Sequence, residues 1–576
     1  MKRVIVAATV ATLAATTLAA PAQARPSSAQ TAAESEYVVL YKEGAGPADA
    51  RQAVQAAGGT VVKENTAVGL ATVTSSNSEF SAHLQRNPAV EGVARNRVIG
   101  AAPKNARAMG ETRKVVEERA IEQEGSEPGP SAARPAKPKP KAEPLSELQW
   151  DMKQIRATAD GSHKYEQGDR RVLVGVIDTG IDGSHPDIAP NFNRELSRNF
   201  TVDIPYDANN AVVDGPCETD PDQSCNDPND VDEAGHGTHV ASSIASPINN
   251  LGVAGVAPKV TLVNLRAGQD SGFFFLQPSV DAITYAADIG VDVANMSYYI
   301  DPWLFNCADN PADSEADRLE QRTITSAVQR ALDYAHKRGV TLVAAAGNQA
   351  LDYTKENIDE SSPDFASEPG EAPYRRVVPA SCLSLPTEGN HVIAVASTGI
   401  SKRKSYFSSY GNGFTDIAAP GGDVYDTPTN QRDVTKSTLS AYPKSVAEAA
   451  GELNPDGTPN VTSLVRDCSG TVCGYYRFSQ GTSMASPRAA GVAALIVSKY
   501  GERDRRRGGL TMDPEDVQEI LVETATATRC PSPAAFTYTR NLPNGTTVTE
   551  THTCEGGRGA NGFYGPGIVD ALRAVR

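Results

Sequence analysis

At 576 residues the chain is long enough for one large domain and smaller parts, and its formal net charge of −16 argues against nucleic acid as a partner and against a polybasic membrane anchor. Charged residues are 22% of the chain and glycine and proline are plentiful, as expected of a loop-rich soluble protein.

Met1-Lys2-Arg3 is a short basic start, Val4 to Ala20 is apolar or small, and Ala22-Gln23-Ala24 is an A-x-A cleavage signal. Residues 1–24 therefore read as a secretory signal peptide, which predicts a secreted, extracellular protein. No later stretch approaches the length of a membrane span, so no membrane anchor is expected. Residues 25–36 are small and polar and read as disordered. Residues 37–100 form a compact unit: a strand at Tyr37–Tyr41, a helix at Ala48–Ala57, strands at Thr60–Lys63 and Leu70–Val73, a helix at Ser78–Arg86 and a strand at Val90–Val98. That order is ferredoxin-like α+β. Its place between signal and main domain favours a propeptide over a binding module. Residues 101–147 mix Lys, Arg and Glu with Pro, ending in Arg134-Pro135-Ala136-Lys137-Pro138-Lys139-Pro140-Lys141, and read as a soluble, semi-extended linker.

From Leu148 to Arg576 strands and helices alternate. Val172–Ile177, Val260–Leu265, Val291–Met296, Thr341–Ala346 and His391–Ala396 are apolar strands, and His236–Ala245, Ser279–Ala287 and Asp317–Lys337 have helical composition. Near-continuous apolar strands separated by helices predict an α/β fold with a mainly parallel sheet, whose ligands bind at the carboxyl ends of the strands. The 8 cysteines suit disulfides in an exported chain. Proximity favours Cys217–Cys225, Cys468–Cys473 and Cys530–Cys554, leaving Cys307 with Cys382, although eight cysteines allow 105 pairings. The absence of a C-x-x-C pair argues against zinc.

Three strand or helix ends carry chemistry. Asp178 follows the strand ending at Ile177, His236 opens a helix in Gly235-His236-Gly237-Thr238-His239, and Asn348 follows the strand ending at Ala346. Gly481-Thr482-Ser483-Met484-Ala485-Ser486-Pro487 precedes an Ala-rich helical run, with Pro487 expected in the first helical turn and Ser483 at the helix start. A serine hydroxyl needs a base to take its proton, which His236 can be, and Asp178 can hold the imidazole. Asn348 can donate its amide to the oxyanion beside the Ser483 N–H. Each residue alone has a plain reading as a turn former or cap. Together, at strand and helix ends, they point to one catalytic set.

These motifs, with Val253-Ala254-Gly255-Val256-Ala257-Pro258 and Gly565-Pro566-Gly567-Ile568-Val569-Asp570-Ala571, closely resemble the subtilisin-type serine proteases, the subtilase or peptidase S8 family. The resemblance covers about residues 148–576. It implies a three-layer fold with a parallel central sheet and a secreted endopeptidase acting through an acyl-enzyme. It assigns Ser483 as nucleophile, His236 as base then acid, Asp178 as orienting acid and Asn348 as oxyanion donor, with His239 not catalytic. The first domain is similar to the family's inhibitor-type (I9-like) propeptide, an intramolecular inhibitor and folding aid removed by self-processing near Gly100 or later in the linker. The implied partners are peptide or protein substrates and this propeptide; a monomer is expected. No cofactor is implied for the chemistry.

The sequence departs from the family at two places. Val293–Ser297 matches the strand that pairs with substrate, but Tyr298, Tyr299 and Ile300 stand where Leu-Gly-Gly is usual. With Ala345, Ala346 and Gly347, the expected substrate-binding residues are Ser297, Tyr298 and Tyr299. The rings either narrow the cleft, as a selective maturation protease resembling lantibiotic leader peptidases would need, or turn outward. The interval from Asp178 to His236 is long and rich in carboxylates, which fit calcium or a solvated acidic loop. Asp187 matches a calcium ligand of some members, although the partner loop at Asn249–Gly252 is about one residue shorter than the binding form. A non-catalytic protease-like binder is the other class; it would usually have lost a triad residue or the oxyanion donor, and this chain keeps all four. A lipase or esterase is disfavoured because G-x-S-x-G is absent around Ser483.

Overall fold

The computed structural model describes residues 35–95, 110–133, 142–220, 223–505 and 508–576. The stretch expected to be a signal peptide, the surroundings of Gly100 expected to be cut and the Arg134–Lys141 run lie outside the described residues.

The first unit runs β1 (Ser35–Tyr41), α1 (Pro47–Ala56), β2 (Gly59–Asn65), β3 (Leu70–Ser75), α2 (Phe80–Leu84) and β4 (Val90–Arg95), with strand order β2-β3-β1-β4. β1 begins inside the stretch expected to be disordered. Its run Val38-Val39-Leu40-Tyr41 is buried throughout because alternate residues serve two cores. Val39 and Tyr41 pack with α1 and α2, whereas Val38 and Leu40, with Val68, Leu70 and Ala94, pack on the main body.

The 101–147 stretch is not merely a linker. It contains α3 (Arg113–Glu122), built from strong helix formers in a proline-free window. After α4 (Trp150–Gln154), β5 (Leu173–Ile177) and β6 (Arg198–Asn199) come α5 (His236–Ala245), β7 (Thr261–Arg266), α6 (Leu276–Ile289), β8 (Val293–Met296), α7 (Glu315–His336) and β9 (Thr341–Ala345). The paired β10 (Asn357–Asp359) and β11 (Arg376–Val378) precede β12 (Val392–Thr398) and β13 (Ile417–Pro420). A three-stranded antiparallel sheet of β14 (Thr438–Ala441), β15 (Leu464–Ser469) and β16 (Val472–Ser479), with α8 (Lys444–Ala449) between its first two strands, leads into α9 (Thr482–Tyr500). The chain ends with the pair β17 (Glu502–Arg503) and β18 (Leu510–Thr511), α10 (Pro514–Glu523), β19 (Thr526–Ala527), the hairpin β20 (Ala535–Asn541) and β21 (Thr547–Thr553), β22 (Gly567–Ile568) and α11 (Ala571–Ala574).

The central sheet has nine strands in the order β19-β22-β13-β12-β9-β8-β5-β7-β6, and only the β19–β22 pair is antiparallel. Its inner strands are buried on both faces, as parallel strands between helices must be. The expected α/β fold with a mainly parallel sheet is present. β5 has β7 on one side and β8 on the other, so the connections diverge at its carboxyl end and open a crevice there. The first unit sits on α6 and α7: its apolar face meets Val280, Ile283, Ile324, Ala327, Val328 and Ala331. Polar contacts fix the register, with Asn65 Nδ2 donating to Asp281 at 2.8 Å and Arg330 Nη1 donating to the Tyr41 carbonyl at 2.7 Å. The three disulfides favoured by proximity, Cys217–Cys225, Cys468–Cys473 and Cys530–Cys554, are formed, and so is the remaining pair Cys307–Cys382.

Candidate active site

Asp178 leaves β5 at the crevice and is fully buried. Its Oδ1 accepts from the Thr179 N–H at 2.8 Å and lies 2.6 Å from Nδ1 of His236, the first residue of α5. A Cβ on Gly237 would meet the Gly180 carbonyl oxygen at 2.1 Å, so glycine is what lets this helix start approach the strand end. His239, a turn later, is buried against the Thr438 and Arg477 carbonyls, and burial brings its pKa down to about 3. It is a neutral packing residue.

Ser483 is the second residue of α9, so its N–H is one of the unpaired donors of a first helical turn. Pro487 lies inside the helix and not in its first turn as expected. It offers no N–H to the Ser483 carbonyl, and Ser297 Oγ donates to that carbonyl instead, at 3.2 Å. Asn348 follows β9 through Gly347, whose φ of +96° and close neighbours Gln349 and Tyr353 leave no room for a side chain. Asn348 Oδ1 accepts from both the N–H and the Oγ1 of Thr482, each at 2.9 Å. The backbone N–H requires an oxygen opposite it, which leaves the Asn348 NH₂ as the free donor of that side chain.

One cavity of about 1130 Å³ gathers these groups; its walls include Ser297, Tyr298, Tyr299, Ala345, Ala346, Gly347, Asn348, His236 and Ser483. Both tyrosines face inward. Tyr298 stacks on Phe274 with centroids 4.0 Å apart, and Tyr299 OH donates to Asp364 Oδ2 at 2.7 Å. The main-chain atoms of Ala345 and Ala346 are already held by Thr387 Oγ1 at 2.7 Å and the Val395 carbonyl at 3.0 Å.

Sequence reasoning missed what fills this cavity. Residues 110–133, hereafter the strap, cross it, with α3 against the site. The Glu122 carbonyl accepts from the Gln480 N–H at 3.1 Å and from Ser479 Oγ at 2.8 Å, and Ile121 and Glu124 are bound by Gln480, Tyr406 and Tyr425. Beyond the helix, Glu127 and Ala132 pair with Thr462, and Gly129 donates to Asn460 at 2.6 Å. Glu122 Oε1 stands 3.4 Å from His236 Nε2. Ser483 Oγ donates to the Ser297 carbonyl at 3.2 Å. The two atoms that would exchange a proton are thus each engaged elsewhere. Burial works against an imidazolium at His236, but Asp178 and Glu122 on its two nitrogens outweigh it and hold the pKa well above the ordinary histidine range. The signal for α3 was present as an unbroken run of helix formers after Thr112; the signal for where it docks was not.

The residues expected for calcium are otherwise engaged. Asp187 accepts from Asn249 Nδ2 at 3.0 Å and the Val253 N–H at 3.1 Å, and burial raises its pKa well above the carboxylate range. N–H donors on both oxygens fit a carboxyl held by protein better than one open to a cation. Asp203, Asp227 and Asp270 bring oxygens within 4.8 Å of one another. The buried Arg266 pairs with all three, so a resident guanidinium supplies the charge there.

A buried carboxylate behind a histidine that shares a cavity with a helix-borne serine, at the carboxyl edge of a parallel sheet, fits the serine hydrolases as a class. The chain belongs to the subtilase family, whose Peptidase_S8 model matches residues 169–567. It is 28% identical over 327 residues to a thermophilic serine proteinase of Bacillus sp. strain AK1, covering 57% of this chain and 52% of that protein. It is 26% identical over 362 residues to the epidermin leader peptide-processing serine protease EpiP of Staphylococcus epidermidis, covering 63% of this chain and 67% of that one. The matched segment thus spans about half the length of the first of these relatives. The solved structure of EpiP from Staphylococcus aureus superposes with a TM-score of 0.57 at 20% identity, over 94% of this chain and 98% of that one, which speaks to the fold. Among the described residues no helix is long and apolar enough to cross a membrane.

Proposed function

We propose that this protein is a secreted endopeptidase made as a self-processing zymogen. Ser483 attacks the peptide carbonyl, His236 takes its proton and later returns it to the leaving amine, and Asp178 holds the ring. The oxyanion is received by the Asn348 NH₂ and the Ser483 N–H. The observation that carries this reading is the 2.6 Å His236–Asp178 contact at a cavity that is also lined by Ser483 at a helix N-terminus. Residues 37–100 act as folding aid and inhibitor and 148–576 as the catalytic domain; peptides and proteins are the substrates. Structural calcium is not part of the proposal at Asp187 or at the Asp203 cluster, for the reasons of fit given above. The strap adds a second level of inhibition, because an imidazolium bound to Glu122 cannot accept the Ser483 proton. A narrow specificity, as in a maturation protease such as one that processes a leader peptide, is favoured within this class by the inward Tyr298 and Tyr299.

A fluorophosphonate reports an activated serine and tests the reading. Labelling of Ser483 is expected to be fast in the processed protein and slow in the precursor, and Glu122→Gln is expected to raise precursor labelling by about tenfold or more, the order of one charge-assisted hydrogen bond. Equal labelling of precursor and processed forms would remove the strap from the account.

The lock also has a pH sign. Asp178 and, on the docked strap, Glu122 together raise the His236 pKa, so the contribution of the Glu122–imidazolium contact is present at low pH and is lost as pH rises through the raised value. In a Ser483→Ala precursor, which cannot process itself, cleavage of the strap by an added protease is expected to accelerate at alkaline pH. A rate that is flat, or that falls once corrected for the protease's own pH profile, would contradict the lock.

A further inference from the structure

The strap does more than cover the site: one of its side chains occupies a pocket that has no role in the triad chemistry. Lys114 is 4% exposed, and its Nζ lies 2.5 Å from Asp301 Oδ1, 4.2 Å from the centroid of the Tyr299 ring and 4.8 Å from that of Phe273. Asp301 is 2% exposed, and its other oxygen accepts from the Phe274 N–H. Asp364 adjoins Asp301 and is fixed by Tyr299 OH. Asp301, Asp364, Tyr299 and Phe273 all belong to the catalytic body, whereas the cation belongs to the strap.

We infer that Asp301, Asp364, Tyr299 and Phe273 form a substrate subsite for a lysine or arginine side chain, which Lys114 fills while the strap is in place. The inference rests on the zymogen reading above. When the strap leaves, Asp301 loses its cation and an aromatic-walled recess opens with two adjoining carboxyls at its base. A basic residue of the substrate restores the arrangement: its alkyl stem lies between the two rings and its head reaches Asp301. The aromatic walls exclude an acidic side chain, and the carboxylates give an aliphatic one no partner. Position follows from α3 itself. Lys114 and Glu122 stand near opposite ends of this 10-residue helix, about 12 Å apart at about 1.5 Å per residue. An extended peptide covers that distance in about three or four residues. The cationic residue therefore sits about that far from the bond that is cut. Tyr299, the departure from the usual glycine, has a use in this arrangement: it supplies one wall and orients Asp364.

The test is a peptide library cleaved by the processed wild-type enzyme and by Asp301→Asn and Asp364→Asn, with kcat/KM read for matched peptides carrying lysine, arginine, norleucine or glutamate at each position. Wild type is expected to prefer lysine or arginine over norleucine by roughly tenfold to a hundredfold at one position about three or four residues from the cut. Either variant is expected to lose most of that preference, read as the ratio of kcat/KM between the lysine and norleucine peptides. Wild-type cleavage with no cationic preference away from the cut bond, or a preference that both variants retain, would overturn the subsite. No cleavage of any peptide by wild type would instead defeat the protease reading, so the two failures are distinct. Should Asp301→Asn fail to fold, the wild-type profile and Asp364→Asn still decide the matter.

Discussion

Ser483→Ala is expected to lower kcat for peptide hydrolysis by roughly 10⁶-fold and to leave the precursor uncleaved. The serine is placed by the start of α9, where an unpaired backbone N–H accompanies the hydroxyl, so the substitution removes the nucleophile and keeps the helix dipole and the Asn348 amide. Residual catalysis of about 10³–10⁴-fold over water is the expected remainder from those donors and from binding. Peptide hydrolysis and the length of the accumulated protein on a gel are the measurements. Self-processing at an unchanged rate would end the assignment of Ser483 as nucleophile.

Asp178→Asn is expected to cost about 10⁴-fold in kcat with little change in KM or in folding. The carboxylate is buried and accepts from His236 Nδ1, which forces the proton onto that nitrogen and leaves Nε2 free to act as base. An asparagine amide can donate to Nδ1 and favour the reverse tautomer, with the proton on Nε2, where it blocks the reaction. The same Oδ1 accepts from the Thr179 N–H, so an amide nitrogen turned toward Nδ1 gives up that hydrogen bond at a local cost of about 1–3 kcal/mol. A steady-state comparison with circular dichroism as the folding control checks this; an Asp178→Asn enzyme within tenfold of wild type would show that His236 is oriented by something else.

Both expectations rest on residues that could be read from the chain. Strand ends at Ile177 and Ala346, the latter one residue beyond the observed end of β9, and the helix start at His236 came from apolar runs and their interruptions, because a parallel strand buried on both faces must be almost wholly apolar and must stop where a polar residue appears. Short antiparallel pieces such as β14–β16 and the β20–β21 hairpin left no comparable trace: with one face wet, their pattern is diluted by polar residues. Pro487 misled for a local reason. Proline is welcome in a first turn, yet here its missing N–H is tolerated inside α9 because Ser297, the residue after β8, supplies a donor.

The sequence by itself therefore determined the sheet, the family and the four residues of the proposed reaction, since each is written in a local pattern at a strand or helix end. Residues 101–147 read only as a linker, and the helix α3 within them came from the structure. Only the tertiary structure decided that this helix lies across the cleft, that Glu122 meets His236, that Tyr298 and Tyr299 turn inward, and that Lys114 finds Asp301 and Asp364. These are contacts between segments far apart in the chain. Their partners are chosen by shape and charge in a buried pocket, where a carboxylate and a cation must meet because neither can stay there alone. No periodicity or spacing along the chain records that choice.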